Sequence, residues 1–225
     1  MNIKTVKGAA IAIVAFVALT SQALAATPEG DPAGGKFPVA ATATSGVSTM
    51  TTPSRALSCS SGSGSGAATS KTTGEGNYLL KGCTSLGTNC TTPGQASGMV
   101  TITISTAHLV YLDENHTKPG VLGTPPASGV FSTFSCGFGL VHVEVKGNGL
   151  LGEITAPKCG ETSKMATVVM QGSEGGGQKY QQVEETGTKY DTVAYINGTP
   201  ETVGTDWTVT GTSVEAVTLT CPEQK

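Results

Sequence analysis

The 225-residue chain carries 13 basic and 16 acidic residues, a formal net charge of −3, and only 13% charged side chains. Arg55 is its sole arginine, so the basic surface that holds phosphate backbones is missing and nucleic acid is excluded as an expected partner. With charge this sparse, Thr, Ser, Gly and Asn must cover much of the surface, as they do in many exported β-rich proteins.

The first 25 residues read as a cleaved leader. Lys4 and Lys7 supply a positive start, an apolar run follows from Ala9 to Leu19, and Ala23-Leu24-Ala25 fits a small-x-small cleavage site. The run is too short to cross a bilayer, so no transmembrane segment is expected after processing. Loss of the two lysines takes the formal charge from −3 to −5. Residues 26–55 are rich in Pro, Gly, Ala and Thr and predict a flexible low-complexity lead-in, with at most a short strand around 36–42.

From residue 56 to 225 the pattern predicts a single β-rich domain. A short strand at Ala56–Cys59 leads into SGSGSGAATS, which reads as a solvated Ser/Gly loop: it has neither a G-x-S-x-G elbow nor a phosphate-loop Gly-Lys-Ser/Thr. NYLLKGC at 77–83 follows as a strand. MVTITIST at 99–106 alternates Val100, Ile102 and Ile104 with threonines, the clearest half-buried strand. AHLVYLD continues it after a bend or forms a second strand. FSTFSC, LVHVEVKG and LLGEITA come next, the last two joined at the tight-turn pair Asn148-Gly149. MATVVMQG, KYDTVAYING, TDWTVTG and SVEAVTLTC complete a run of short strands at hairpin spacing. No helical stripe of useful length interrupts them. The fold class expected is therefore all-β, an antiparallel sandwich or barrel-like domain with disulfides.

All six cysteines, Cys59, Cys83, Cys90, Cys136, Cys159 and Cys221, lie in the expected mature chain, and an even count in an exported protein predicts three structural bridges. None stands at the C-x₂₋₄-C spacing of a zinc site or in a C-x-x-C redox pair, so neither metal nor cofactor is expected. GCTSLGTNC suggests a local clasp between Cys83 and Cys90, because the intervening Gly87 and Asn89 can fold the chain back. Cys59–Cys136 and Cys159–Cys221 complete the preferred set, the last tying down the terminal strand.

Catalytic signals are sparse. The three histidines, His108, His116 and His142, form no close metal-ligand pair, and His142 beside Glu144 is the best candidate for metal or acid–base work, although alternation gives every strand such pairs and a solvent-facing polar stripe is the favoured reading. Glu144 and Glu153 are a nominal carboxylate pair for glycoside hydrolysis. Asp113 and Glu114 lack the further oxygen ligands a calcium loop needs. Trp207, Tyr180, Tyr190 and Tyr195 are candidate ligand-contact aromatics for a carbohydrate or surface ligand. GSEGGGQKYQQVEE at 172–185 takes no ligand assignment, reading as a loop or the lead into a strand.

The succession of LSC at 57–59, YLLKGC, TNC, SGMVTITIST, VFSTFSCGFGLVHVEVKGNGLLGEITAP and GGGQKYQQVE resembles a group of exported actinobacterial β-rich proteins of uncharacterised function. The resemblance covers about residues 57–185 and implies an exported β-domain with Cys59, Cys83, Cys90 and Cys136 as framework. It transfers no catalytic residue. The expected role is that of a secreted or envelope-associated, non-enzymatic protein, structural or binding, with an unknown surface partner or self-association. A carbohydrate-binding module and a secreted hydrolase are the alternatives.

Overall fold

The computed structural model describes residues 27–173, 176–183 and 187–222; the leader read from the sequence lies outside the described residues. Among them every regular element is a strand. The first are β1 (Glu29–Pro32), β2 (Val39–Ser45), β3 (Ser48–Thr51), β4 (Ala56–Cys59), β5 (Ser61–Ala68) and β6 (Thr73–Lys81). Next come β7 (Thr84–Ser85), β8 (Thr88–Thr91), β9 (Val100–Tyr111), β10 (Pro119–Thr124), β11 (Val130–Cys136) and β12 (Val141–Gly147). The last are β13 (Leu150–Ala156), β14 (Thr162–Met170), β15 (Thr192–Ile196), β16 (Thr199–Thr202) and β17 (Gly204–Thr220).

Eight of these close an antiparallel barrel. Going round, β2 pairs with β5, β5 with β6, β6 with β9, β9 with β10, and β10 with β13. From there β13 pairs with β14, β14 with β17, and β17 returns to β2. The staves follow chain order, and every second connection carries an extra hairpin: β3–β4, β7–β8, β11–β12 and β15–β16. These four hairpins pair with one another through β4–β7, β8–β11 and β12–β15, and β3 pairs with the start of β17. Closure removes the exposed edges an open sheet would have.

The main core lies where the hairpin sheet meets the barrel. Leu57, Leu80, Val100, Phe131, Phe134, Val143, Val145, Ile196, Val203 and Trp207 pack there together with four cysteines. A smaller cluster on the outer barrel wall, Val110, Leu112, Leu122 and Leu151, is covered by Val183, Tyr180 and Tyr190 from the segment after β14. Gln178 anchors that segment. Leu151 N–H donates to its Oε1 at 2.8 Å, and its Nε2 donates to Gly149 O at 3.0 Å and Thr192 Oγ1 at 2.9 Å. The GSEGGGQKYQQVEE stretch is thus a strap held by a buried amide.

Three expectations change. The described part of the 26–55 segment, residues 27–55, contributes β1, β2 and β3 rather than a lead-in, and Val39 is only 2% exposed. The supposed Ser/Gly loop is the barrel stave β5, paired along its whole length with β2 and β6. The disulfides join Cys59 to Cys83, Cys90 to Cys136, and Cys159 to Cys221. The Cys83–Cys90 clasp and the Cys59–Cys136 bridge do not form. Cys90 N–H does donate to Cys83 O at 2.9 Å, so the two residues face each other across the β7–β8 hairpin. Each sulfur reaches instead to the strand on its far side: Cys90 opposes Cys136 in the β8–β11 register, and Cys59 ends the strand that pairs with β7. Cys159–Cys221 forms as expected, joining the β13–β14 turn to the residue just beyond β17.

Candidate functional site

Alternation in the barrel staves decides what lies inside. Side chains at i and i+2 share a face, and directly paired residues on neighbouring strands share it too. The paired positions Ala43–Gly64, Gly64–Tyr78, Tyr78–Ile102, Val168–Val209 and Gly211–Ala43 therefore point one way. The intervening Thr44, Ser63, Thr103, Thr208 and Thr210 point the other. Of the first set, Ala43, Tyr78, Val168, Val209 and Gly211 line a cavity of about 430 Å³ whose wall is overwhelmingly apolar. The polar set faces out, opposite to the apolar-out pattern of barrels that face lipid.

The cavity exists because so many inward residues are small. An eight-stranded barrel has an interior just wide enough to be filled by side chains or to hold one small ligand. Here Ala41, Ala43, Ala107, Ala166 and Gly211 leave space where Leu or Ile would fill it. The volume is within the range of small-molecule sites.

Tyr78 and Trp207 form the floor toward the hairpin sheet, with ring centroids 4.7 Å apart at an interplanar angle of 74°. Trp207 also lines a much smaller void of about 50 Å³ on the far side, so its ring partitions the two spaces. Tyr78 lies in a slot made by β5: a Cβ on Gly64 would sit 2.5 Å from Tyr78 Cδ2 and 2.6 Å from Asn77 O. Burial pushes the Tyr78 hydroxyl pKa up, against the lowering effect of its neighbours Ser45 and Trp207. Hydrogen-bond geometry is reached with neither, and all three polar atoms are shut away from water.

The other end of the barrel is dressed by β1, which pairs with the tail of β17, and Gly30 N–H donates to Lys71 O at 2.7 Å. Near it the wall is interrupted. Ser163 pairs with Val217 and Met165 with Thr212, so Lys164 alone opposes residues 213–216 of β17. This wide bulge breaks the ladder between the two staves. Phe37, Lys164, Met165 and Ser213 line the cavity there, and Met165 and the adjacent Val214 are exposed.

Two lysines belong to the lining. Lys71 is committed to Asp31 at 2.6 Å and Glu29 at 3.3 Å. Its hydrogen bond to Asp31 raises its own pKa, and the same bond, against a small desolvation, lowers that of the carboxyl. Lys164 makes no ion pair among the described residues.

The sequence-derived candidates are dispersed. Trp207 is 4% exposed and faces the cavity instead of solvent. Tyr180 and Tyr190 pack on the outer cluster, whereas Tyr195 lies on β15 with the Lys146 ammonium 5.0 Å from its ring centroid. These four do not form an exposed aromatic platform. Tyr180 donates to Glu153 Oε2 at 2.6 Å, and desolvation, with help from Glu153, pushes its pKa up to about 12. Glu144 pairs with Lys146 at 2.7 Å in the hairpin sheet, so it and Glu153 belong to different sheets and do not converge. His142 is exposed in the hairpin sheet, His116 stacks on Tyr111 with centroids 4.5 Å apart, and His108 pairs with Leu122 in the β9–β10 ladder and borders the cavity. Asp113 accepts from Thr117 N–H, Lys118 N–H and Thr117 Oγ1, so its carboxylate closes a turn. Among the described residues no three His, Cys, Asp or Glu gather as metal ligands, and no helix is long and apolar enough to cross a membrane.

No protein-family model, curated protein or solved structure matches the chain. The site must be read from its own geometry. Among the described residues that geometry brings together neither a metal-ligand cluster nor the carboxylates Glu144 and Glu153. It contains a half-open apolar space with an interrupted wall.

Proposed function

We propose that this is an exported, non-enzymatic binding protein whose barrel encloses one small apolar molecule. The cavity of about 430 Å³ carries the reading, because its apolar lining is left partly accessible instead of being filled by larger side chains. Leaving such space open forfeits dispersion contacts and core stability, a cost that a bound apolar guest would offset. The three disulfides fit an oxidising compartment, which agrees with export.

Trp207 gives the test a built-in reporter. It is the only tryptophan in the chain and it lines the cavity. Titration with dodecanol should change its emission saturably, with one site per chain. Calorimetry of the same titration should give a negative heat-capacity change, the mark of apolar burial. Unchanged emission together with no heat of binding for alkyl ligands would sink the proposal.

A further inference from the structure

The cavity interior offers its guest almost no polar partner, since the buried Tyr78 hydroxyl and Trp207 Nε1 are closed off from the space they border. A polar group carried inside would lose its hydration without compensation. Any head group must therefore remain at an opening in the wall. The bulge at Lys164 is where the wall meets solvent: the β14–β17 ladder is broken there, and Lys164 and Met165 both border the cavity and are exposed.

The charge at that opening is specific. Lys71, the other lysine of the lining, is committed to Asp31 and Glu29, whose two charges outweigh its own. The nearest acid in the bulge, Glu215, accepts the Gly34 N–H at 2.8 Å and makes no ion pair among the described residues. Lys164 is thus the uncommitted cation of the lining, flanked by the hydroxyl residues Ser163 and Ser213 and by the apolar side chain of Met165. A long lysine stem lies along apolar surface while its ammonium stays wet, the geometry that suits the boundary of an amphiphile.

We infer that the ligand is an anionic amphiphile, an alkyl chain inserted tail-first with its carboxylate or phosphate head at Lys164. This rests on the apolar-cavity reading and adds the head group, its charge and its point of contact. A partly exposed lysine–anion contact is worth about a fivefold gain in affinity, and it weakens with salt.

The experiment compares dodecanoate, dodecyl phosphate, dodecanol and dodecylammonium on the full mature chain at mildly alkaline pH, below their aggregation concentrations, by Trp207 fluorescence. At least one of the anions should bind about fivefold tighter than the alcohol, and the alkylammonium weakest. Whichever anion binds tighter identifies the head. Lys164→Gln should bring the anions down to the level of the alcohol while leaving alcohol binding unchanged. Lys158→Gln, an exposed lysine outside the lining, serves as control and should change nothing. If all four probes bind equally, or the anion preference survives Lys164→Gln, the head-group inference is overturned while the cavity reading stands. If none binds, both fall together.

Discussion

Two inward glycines, paired with Ala43 of β2 from either side, should respond oppositely to added side chain. Neither has a positive φ, so an L residue is allowed at both. At Gly211 an added Cβ would meet nothing closer than Ala166 O at 3.8 Å and Thr42 O at 3.9 Å, and beyond it lies the cavity. Gly211→Ile places four carbons in that space. Burial of such a side chain contributes about 1.5–3 kcal/mol, and removal of a strand glycine about 0.5–1 kcal/mol more. Side-chain ordering takes back about 0.5–1 kcal/mol, and the half-open cavity favours the low end of the burial figure. The expected net gain is about 1–2 kcal/mol, with apolar-ligand binding weakened or abolished. At Gly64 the added Cβ would meet the Tyr78 ring and a backbone carbonyl, both inside contact distance. Gly64→Ala should therefore cost about 1–3 kcal/mol through overpacking. Urea denaturation followed by far-ultraviolet circular dichroism reads both, and a probe titration reads the first. Loss of stability in Gly211→Ile, or undiminished ligand binding by it, would mean that the cavity is not the open, functional space described above.

Gln178→Ala should destabilise by about 1–3 kcal/mol, since it strands the buried Leu151 N–H and two further partners; chemical denaturation measures this, and a neutral result would contradict the strap's anchoring role. Mild reduction should open Cys159–Cys221 first, because Cys159 is exposed while Cys59, Cys83, Cys90 and Cys136 are buried in the core. Hydrogen exchange should then quicken in β1 and the tail of β17 while the barrel stays protected, and peptide mapping identifies the bond that opened. The Tyr180 phenol titrates near 12 when folded against about 10 when unfolded, so the unfolded chain gives up this proton first. Its contribution to stability is complete below pH 10 and declines from there to about 12, and Tyr180→Phe should flatten that part of the stability profile.

The strands whose inward residues are large were legible. MVTITIST alternates apolar with polar side chains and becomes β9, and FSTFSC, LVHVEVKG and LLGEITA become β11, β12 and β13, but Asn148-Gly149 closes no hairpin, because β12 pairs with β11 and β15 while β13 pairs with β10 and β14. VAATATS and SGSGSGAA alternate just as regularly, but their inward residues are Ala and Gly, which carry too little hydrophobic weight to set them apart from linker composition. The signal that could have found them was the period itself, glycine at 62, 64 and 66 and alanine at 41 and 43. The candidate site was missed for the same reason. A cavity is made of side chains that are not there.

By itself the sequence determined the all-β class and three bridges among six cysteines, because alternation and cysteine parity are properties of the chain alone. Tertiary structure decided which sulfurs meet, since Cys83 and Cys90 face each other across a hairpin while their side chains reach to strands brought alongside from elsewhere. It also decided that small residues from distant staves surround a common space. Closure of β17 onto β2 joins sequence-distant residues such as Gly211 and Ala43 into one wall, and no local pattern encodes that neighbourhood.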